Sequence, residues 1–220
     1  YDELGIQPPE LDGRPVGHYI EKHAELRPHA PAVAYFDNVI SYQELNAAAN
    51  RLANALVALG IARGDVIGLH MPNIPQYVIA LIAISKIGAI GSGLSPLLAP
   101  PELAHQIQDA QIKLVISLSD LAGALTKMET APSSLTSVIV TGAADFLTRE
   151  PFDLPQIKGV DVLPFLGVTD AASDVFRQVG VDAHDTFMIQ YTGGTTGRPK
   201  GAMLTHLNIM HNTSQTASIN

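Results

Sequence analysis

The sequence predicts an α/β protein: a mostly parallel sheet flanked by helices, followed by the start of a second α/β subdomain. Two observations carry this. Short runs rich in valine, isoleucine and leucine alternate along the chain with longer stretches of helical periodicity, the pattern of βαβ units. The composition is that of a globular protein, with 46% hydrophobic and 15% charged residues over 220 positions. Such a chain can bury a sizeable core and is not disordered.

Taken in order, residues 16–26 read as a first helix. Residues 32–36 and 39–41 flank Asp37 and Asn38, which suit a hairpin turn. Residues 42–59 form the clearest helix, with Leu45, Ala49, Leu52, Leu56 and Leu59 on one stripe and Gly60 placed to cap it. Residues 66–70 make a short buried strand, and Pro72 and Asn73 break it before a helix over residues 74–87. That apolar stretch falls short of the roughly 18 residues of a membrane span and reads as a buried helix. Glycine and proline dominate residues 88–101. A helix over 102–110, a strand over 114–117, a helix over 121–128 and a strand over 137–141 follow. Residues 146–170 are richer in proline and glycine, with weak periodicity. A strand over 186–191, a second over 202–204 and a helix from 207, capped by Thr205, complete the chain. The expected organisation is therefore an N-terminal segment (1–30), a first α/β subdomain (31–145), a connection (146–180) and the start of a second subdomain (181–220). Both ends read as cut, since the chain begins at Tyr1 and stops at Asn220 inside a helical pattern.

Several functions are disfavoured. A formal charge of −8 argues against a nucleic-acid binder, and the absence of cysteine rules out disulfides and thiolate metal sites. Cysteine usage fits a cytoplasmic protein. The histidines form no His-Glu-x-x-His pattern, and Ser117 and Ser119 lack a nucleophile-elbow context. The charge is uneven, however. No acidic residue follows Asp185, whereas Arg198, Lys200, His206 and His211 lie in that tail, a neighbourhood suited to an anionic ligand.

The same tail holds the most informative stretch, YTGGTTGRPKG over residues 191–201. Glycines let backbone N–H groups approach a bulky anion, threonine hydroxyls add donors, and Lys200 adds a mobile positive charge. Two common glycine templates fail. Lys200 follows proline rather than glycine, unlike the NTPase loop, and Gly91 and Gly93 run into Leu94, Ser95 and Pro96 rather than a dinucleotide fingerprint.

The full eleven residues resemble the signature of the adenylate-forming (AMP-binding) superfamily, which includes acyl-CoA synthetases, peptide-synthetase adenylation domains and beetle luciferases. Residues 202–206 (AMLTH) continue the likeness. Residues 40–45 leading into 50–53 resemble the family's early element before a long helix, and residues 85–89, Ser95, Pro96 and 101–103 resemble its second element. The resemblance runs from about residue 30 to the end and is greatest for the medium- and long-chain fatty acyl-CoA synthetases, because Gly194 stands where many members have serine. Residues 92–96 depart from the usual asparagine-containing version, with no physical account.

The resemblance implies a fatty acid–CoA ligase using ATP, Mg2+ and coenzyme A, with an aryl- or amino-acid-activating relative, or a non-catalytic module, as alternatives. It assigns ATP-phosphate binding to Tyr191, Thr192, Gly193, Gly194, Thr195, Thr196, Gly197, Lys200 and Gly201, with Thr192 as a magnesium ligand and Lys200 as an electrostatic aid. His206 borders the site or serves a structural end. The partner is a fatty acid or other carboxylic acid, and peripheral membrane contact is compatible with a fatty substrate. The family's later elements are absent, so the 220-residue piece alone is expected to be inactive.

Overall fold

The computed structural model describes residues 13–192 and 199–217. Helix α1 (Val16–Leu26) precedes a hairpin of β1 (Pro31–Tyr35) and β2 (Asn38–Ser41). Tyr35 pairs with Asn38, so the turn residues are Phe36 and Asp37, one position earlier than the sequence suggests. Asn38 is held in the strand because its side-chain amide donates to the Phe146 carbonyl at 2.7 Å. Phe36 takes up the turn with φ of 51°.

Helix α2 (Tyr42–Ala58) starts at a reciprocal cap. The Ser41 amide donates to Glu44 Oε2 at 2.8 Å, and the Glu44 amide donates to Ser41 Oγ at 3.3 Å. Gly60, with φ of 82°, follows the helix as expected. Strand β3 (Val66–His70) is buried along its whole length, and α3 (Pro75–Ile87) is buried on nearly all sides. A helix apolar all round belongs inside a core, and α3 lies between the sheet and helices α1 and α2.

Strand β4 (Ile90–Gly93) stands where the sequence showed only glycine and loop character. Then come α4 (Pro100–Asp109), β5 (Ile112–Leu118), α5 (Ser119–Thr126) and β6 (Ser137–Thr141). The expected connection over 146–180 contains a strand and a helix of its own, β7 (Asp161–Pro164) and α6 (Phe165–Asp170). Strand β7 is legible only in three dimensions: it extends the sheet beside β6, and Phe165 opening α6 is buried in the main core. Strands β8 (Thr186–Thr192) and β9 (Lys200–Thr205) and helix α7 (His206–Ala217) follow. Thr205 caps α7 by accepting from the Asn208 amide at 3.1 Å.

Seven strands form one sheet in the order β7-β6-β5-β3-β4-β8-β9. All neighbours are parallel except β8 and β9, which form an antiparallel hairpin. The hairpin expected to open a second subdomain is thus continuous with the first sheet, through the β4–β8 ladder. Two cores pack on opposite faces. Leu52, Leu56, Ile79, Ile84, Ile67 and Ile116 belong to the core of α2 and α3, while Leu103, Ile107, Leu125, Val115 and Val138 belong to that of α4 and α5.

Candidate functional site

A parallel sheet aims the carboxyl ends of its strands at one edge, and ligands of open α/β sheets sit outside that edge. Here β3 ends at His70, β4 at Gly93 and β8 at Thr192. The β8–β9 hairpin therefore turns at the same edge. Across it Tyr191 pairs with Gly201 and Thr192 with Lys200, so these four residues form the neck of the glycine-rich stretch. Thr192 and Lys200 are both exposed there. Gly193, Gly194, Thr195, Thr196 and Gly197 lie outside the described residues.

The neck is tightly built. A side chain at position 201 would bring its Cβ to 2.7 Å from Ile189 Cγ2 and 3.3 Å from the Tyr191 ring, so glycine leaves room for that ring across the ladder. The Tyr191 hydroxyl donates to Asp109 Oδ2 at 2.5 Å, reaching the last residue of α4. Burial, helped by that carboxylate, pushes the Tyr191 phenol well above its usual range and keeps it a hydrogen-bond donor.

Beside the neck a cleft of about 380 Å³ opens at the carboxyl ends of β3 and β4. Leu69, Met71 and Leu94 form its apolar floor, and Gln190 and Tyr191 its wall toward the hairpin. Gln106 also lines it, buried, with its Oε1 lacking a hydrogen-bond partner among the described residues. Asp109 and Gln106, three positions apart on α4, carry no motif, and nothing in the linear sequence singles them out.

Strand order reverses at β3, which has β4 on one side and β5 on the other. At that switch point His70 and Ser117 are hydrogen-bonded, Nδ1 to Oγ, at 3.0 Å. Burial pushes His70 down to about 4, so the ring is neutral at neutral pH. On the opposite face Gln76 donates to Thr141 Oγ1 at 3.0 Å and to the Gly142 carbonyl at 2.8 Å. His206 is placed structurally. Its ring stacks on Phe187 with centroids 4.5 Å apart, and its Nδ1 accepts from the Val16 amide at 3.4 Å. Burial pushes His206 down to about 4 as well.

The arrangement has close counterparts among known proteins. A "Long-chain-fatty-acid--CoA ligase" of Bacillus subtilis is 31% identical over 204 residues, covering 87% of this chain and 36% of that protein. A "Feruloyl-CoA synthase" of Amycolatopsis is 32% identical over 197 residues, covering 90% of this chain and 34% of that protein. The chain thus spans about a third of the length of these relatives. Among solved structures, a Mycobacterium tuberculosis fatty acyl CoA synthetase matches with a TM-score of 0.70 at 26% identity, over 87% of this chain and 34% of that one. The anthranilate CoA ligase AuaEII in complex with anthranoyl-AMP shares the fold, with a TM-score of 0.78 at 24% identity over 90% of this chain and 36% of that one. No helix among the described residues is long and apolar enough to cross a membrane. The AMP-binding enzyme family matches residues 20–220, nearly the whole sequence, and the chain belongs to that family.

Proposed function

We propose that this chain is the nucleotide-phosphate-binding part of an ATP-dependent carboxylic acid–CoA ligase, with fatty acids as its substrates. In the reaction a carboxylate oxygen attacks the α-phosphorus of ATP and pyrophosphate leaves. The thiol sulfur of coenzyme A then attacks the acyl carbon of the adenylate, and AMP leaves. The observation that carries the reading is the sequence of residues 191–201, whose described ends, Tyr191 and Thr192 paired with Gly201 and Lys200, stand at the carboxyl edge of the sheet. Such a stretch works by positioning and by charge stabilisation of a polyphosphate, not by proton transfer. Lys200, exposed opposite Thr192, supplies positive charge where the leaving pyrophosphate gathers negative charge.

Magnesium fits this edge as a passenger of the nucleotide. Among the described residues no three His, Asp or Glu side chains converge as a metal cage. An ion bound mainly by phosphates and water needs only one or two protein oxygens, and the exposed Thr192 hydroxyl at the neck is of that kind. A cytoplasmic place, with peripheral membrane contact through a fatty substrate, belongs to the same reading.

Aromatic acids are the second reading, favoured by the relative named feruloyl-CoA synthase at 32% identity, level with the fatty-acid ligases. The test is carboxylate-dependent ATP–pyrophosphate exchange by the enzyme expressed from its intact reading frame. Fatty acids should support exchange best. Preference for an aromatic acid would select the second reading, and exchange with no carboxylic acid would overturn both. The 220-residue chain by itself should form no acyl-CoA, since it spans 36% of the Bacillus subtilis relative; acyl-CoA formed by that piece would overturn the part assigned to it.

A further inference from the structure

We propose that Asp109 is a positioning residue for the nucleotide-phosphate stretch, acting through the hydroxyl of Tyr191. The inference rests on the reading above, in which residues 191–201 hold the phosphates of ATP.

Tyr191 is the last residue but one of β8 and pairs with Gly201 across the neck of the hairpin. Its direction therefore bears on its neighbour Thr192 and, through the ladder, on Lys200. Two contacts fix the ring. One face is accommodated by the missing side chain of Gly201. The far end is held by the 2.5 Å hydrogen bond to Asp109, from a helix 82 residues earlier in the chain. The bond ties the hairpin to α4, whose Leu103 and Ile107 are buried in the core on that face of the sheet. The neck is thereby referred to the rigid body of the protein rather than to its own loop.

Asp109 is poorly placed for any local purpose. It is the last residue of α4, where the negative end of the helix dipole opposes an anion, and no basic residue sits in that last turn. Among the described residues no ion pair engages its carboxylate. Helix propensity and the dipole both argue against aspartate at this position, so its return lies in the bond to Tyr191. A charge-assisted bond of this kind is stronger than a neutral one, and a neck held in its binding geometry spares the nucleotide the ordering of Thr192 and Lys200.

The test uses the enzyme from its intact reading frame as wild type, Tyr191→Phe, Asp109→Ala and the double variant. ATP–pyrophosphate exchange gives KM and kcat, calorimetry gives the Kd of Mg·ATP, and thermal unfolding gives Tm. Each single variant should raise the KM and Kd for ATP about fivefold, with kcat and the carboxylate KM changed by no more than about twofold. The double variant should match either single one, because both remove the same bond. Asp109→Ala should change Tm little, since the bond lost to Tyr191 is offset by removing an anion from a helix C-terminus. Unchanged ATP affinity, multiplying effects in the double variant, or a loss of affinity that simply follows a loss of Tm would each overturn the proposal. Exchange with no carboxylic acid would defeat the functional reading alone, and the Kd series would still decide the role of Asp109. Failure of the wild-type enzyme to bind Mg·ATP would defeat both.

Discussion

His70 and His206 are each buried in the neutral form, pushed to about 4 from an ordinary value of 6.5. In both, desolvation of the charged ring is the main cause; for His206 the nearby Asp185 works weakly the other way. Because the folded value lies below the unfolded one, the unfolded chain binds more protons between those two values. Stability is then fully present above pH 6.5 and falls as pH drops toward 4, by about 3 kcal/mol for each ring. Denaturant unfolding of His70→Asn and His206→Asn across this range should show a shallower acid loss than wild type, because an asparagine amide offers both a donor and an acceptor to these partners without titrating. An unchanged slope would mean that carboxylates carry the acid sensitivity. The partners of neither ring were legible in the chain. A histidine closing a hydrophobic strand gives no sign of its partner, and Ser117 lies 47 residues away on a neighbouring strand. By contrast, the sequence singles out Lys200 and Gly201 through the contiguous pattern of residues 191–201, and both stand at the neck of the β8–β9 hairpin.

At the scale of elements, legibility follows how local the cause is. Helix α2 was legible from its apolar stripe and from Gly60 after it, since those determinants lie in or beside the segment; the equally local Ser41–Glu44 cap is what the structure adds. Two hydrogen bonds from Ser41, backbone first, hold the Glu44 carboxyl below its usual range. Ser41→Ala should therefore cost about 1 kcal/mol in denaturant unfolding, and a change near zero would show the cap to be idle. Strand β4 is the opposite case. Ile90-Gly91-Ser92-Gly93 has little intrinsic preference for a strand. It is one because β3 and β8 both hydrogen-bond to it and because its glycines leave space that neighbours use. Met188 already occupies the place a side chain on Gly91 would take, and a Cβ on Gly93 would crowd the end of the Gln190 side chain at 3.2 Å. Helix α3 was legible as buried, yet Lys86 inside it was not. That lysine has no exposed surface and reaches Glu21 of α1 at 3.4 Å, a pairing that only the packing of α1 on α3 reveals.

Over the whole molecule, the hairpin that bears the candidate site is attached differently from the rest of the sheet. Strands β3, β5 and β6 pair along four or five positions each and are covered on both faces. Strand β8 joins β4 at two register positions, Gly91 with Met188 and Ser92 with Ile189, and β9 beyond it is an edge strand with Met203 exposed. The nearer half of β8 is anchored by Phe187 and Met188, which are buried in the main core, whereas Gln190 and Thr192 are exposed. Local opening costs least where few buried contacts are lost. Amide hydrogen exchange should then rank the sheet, with β3, β5 and β6 slowest and the distal parts of β8 and β9 fastest. Saturating Mg·ATP should slow exchange most in those distal parts, because a ligand stabilises the closed form of the segment it contacts. Protection that rises equally throughout the sheet would place the nucleotide elsewhere. Distal β8–β9 amides as slow as those of β5 in Asp109→Ala before ligand is added would show that the short ladder to β4 suffices to fix the hairpin, leaving Asp109 nothing to steady.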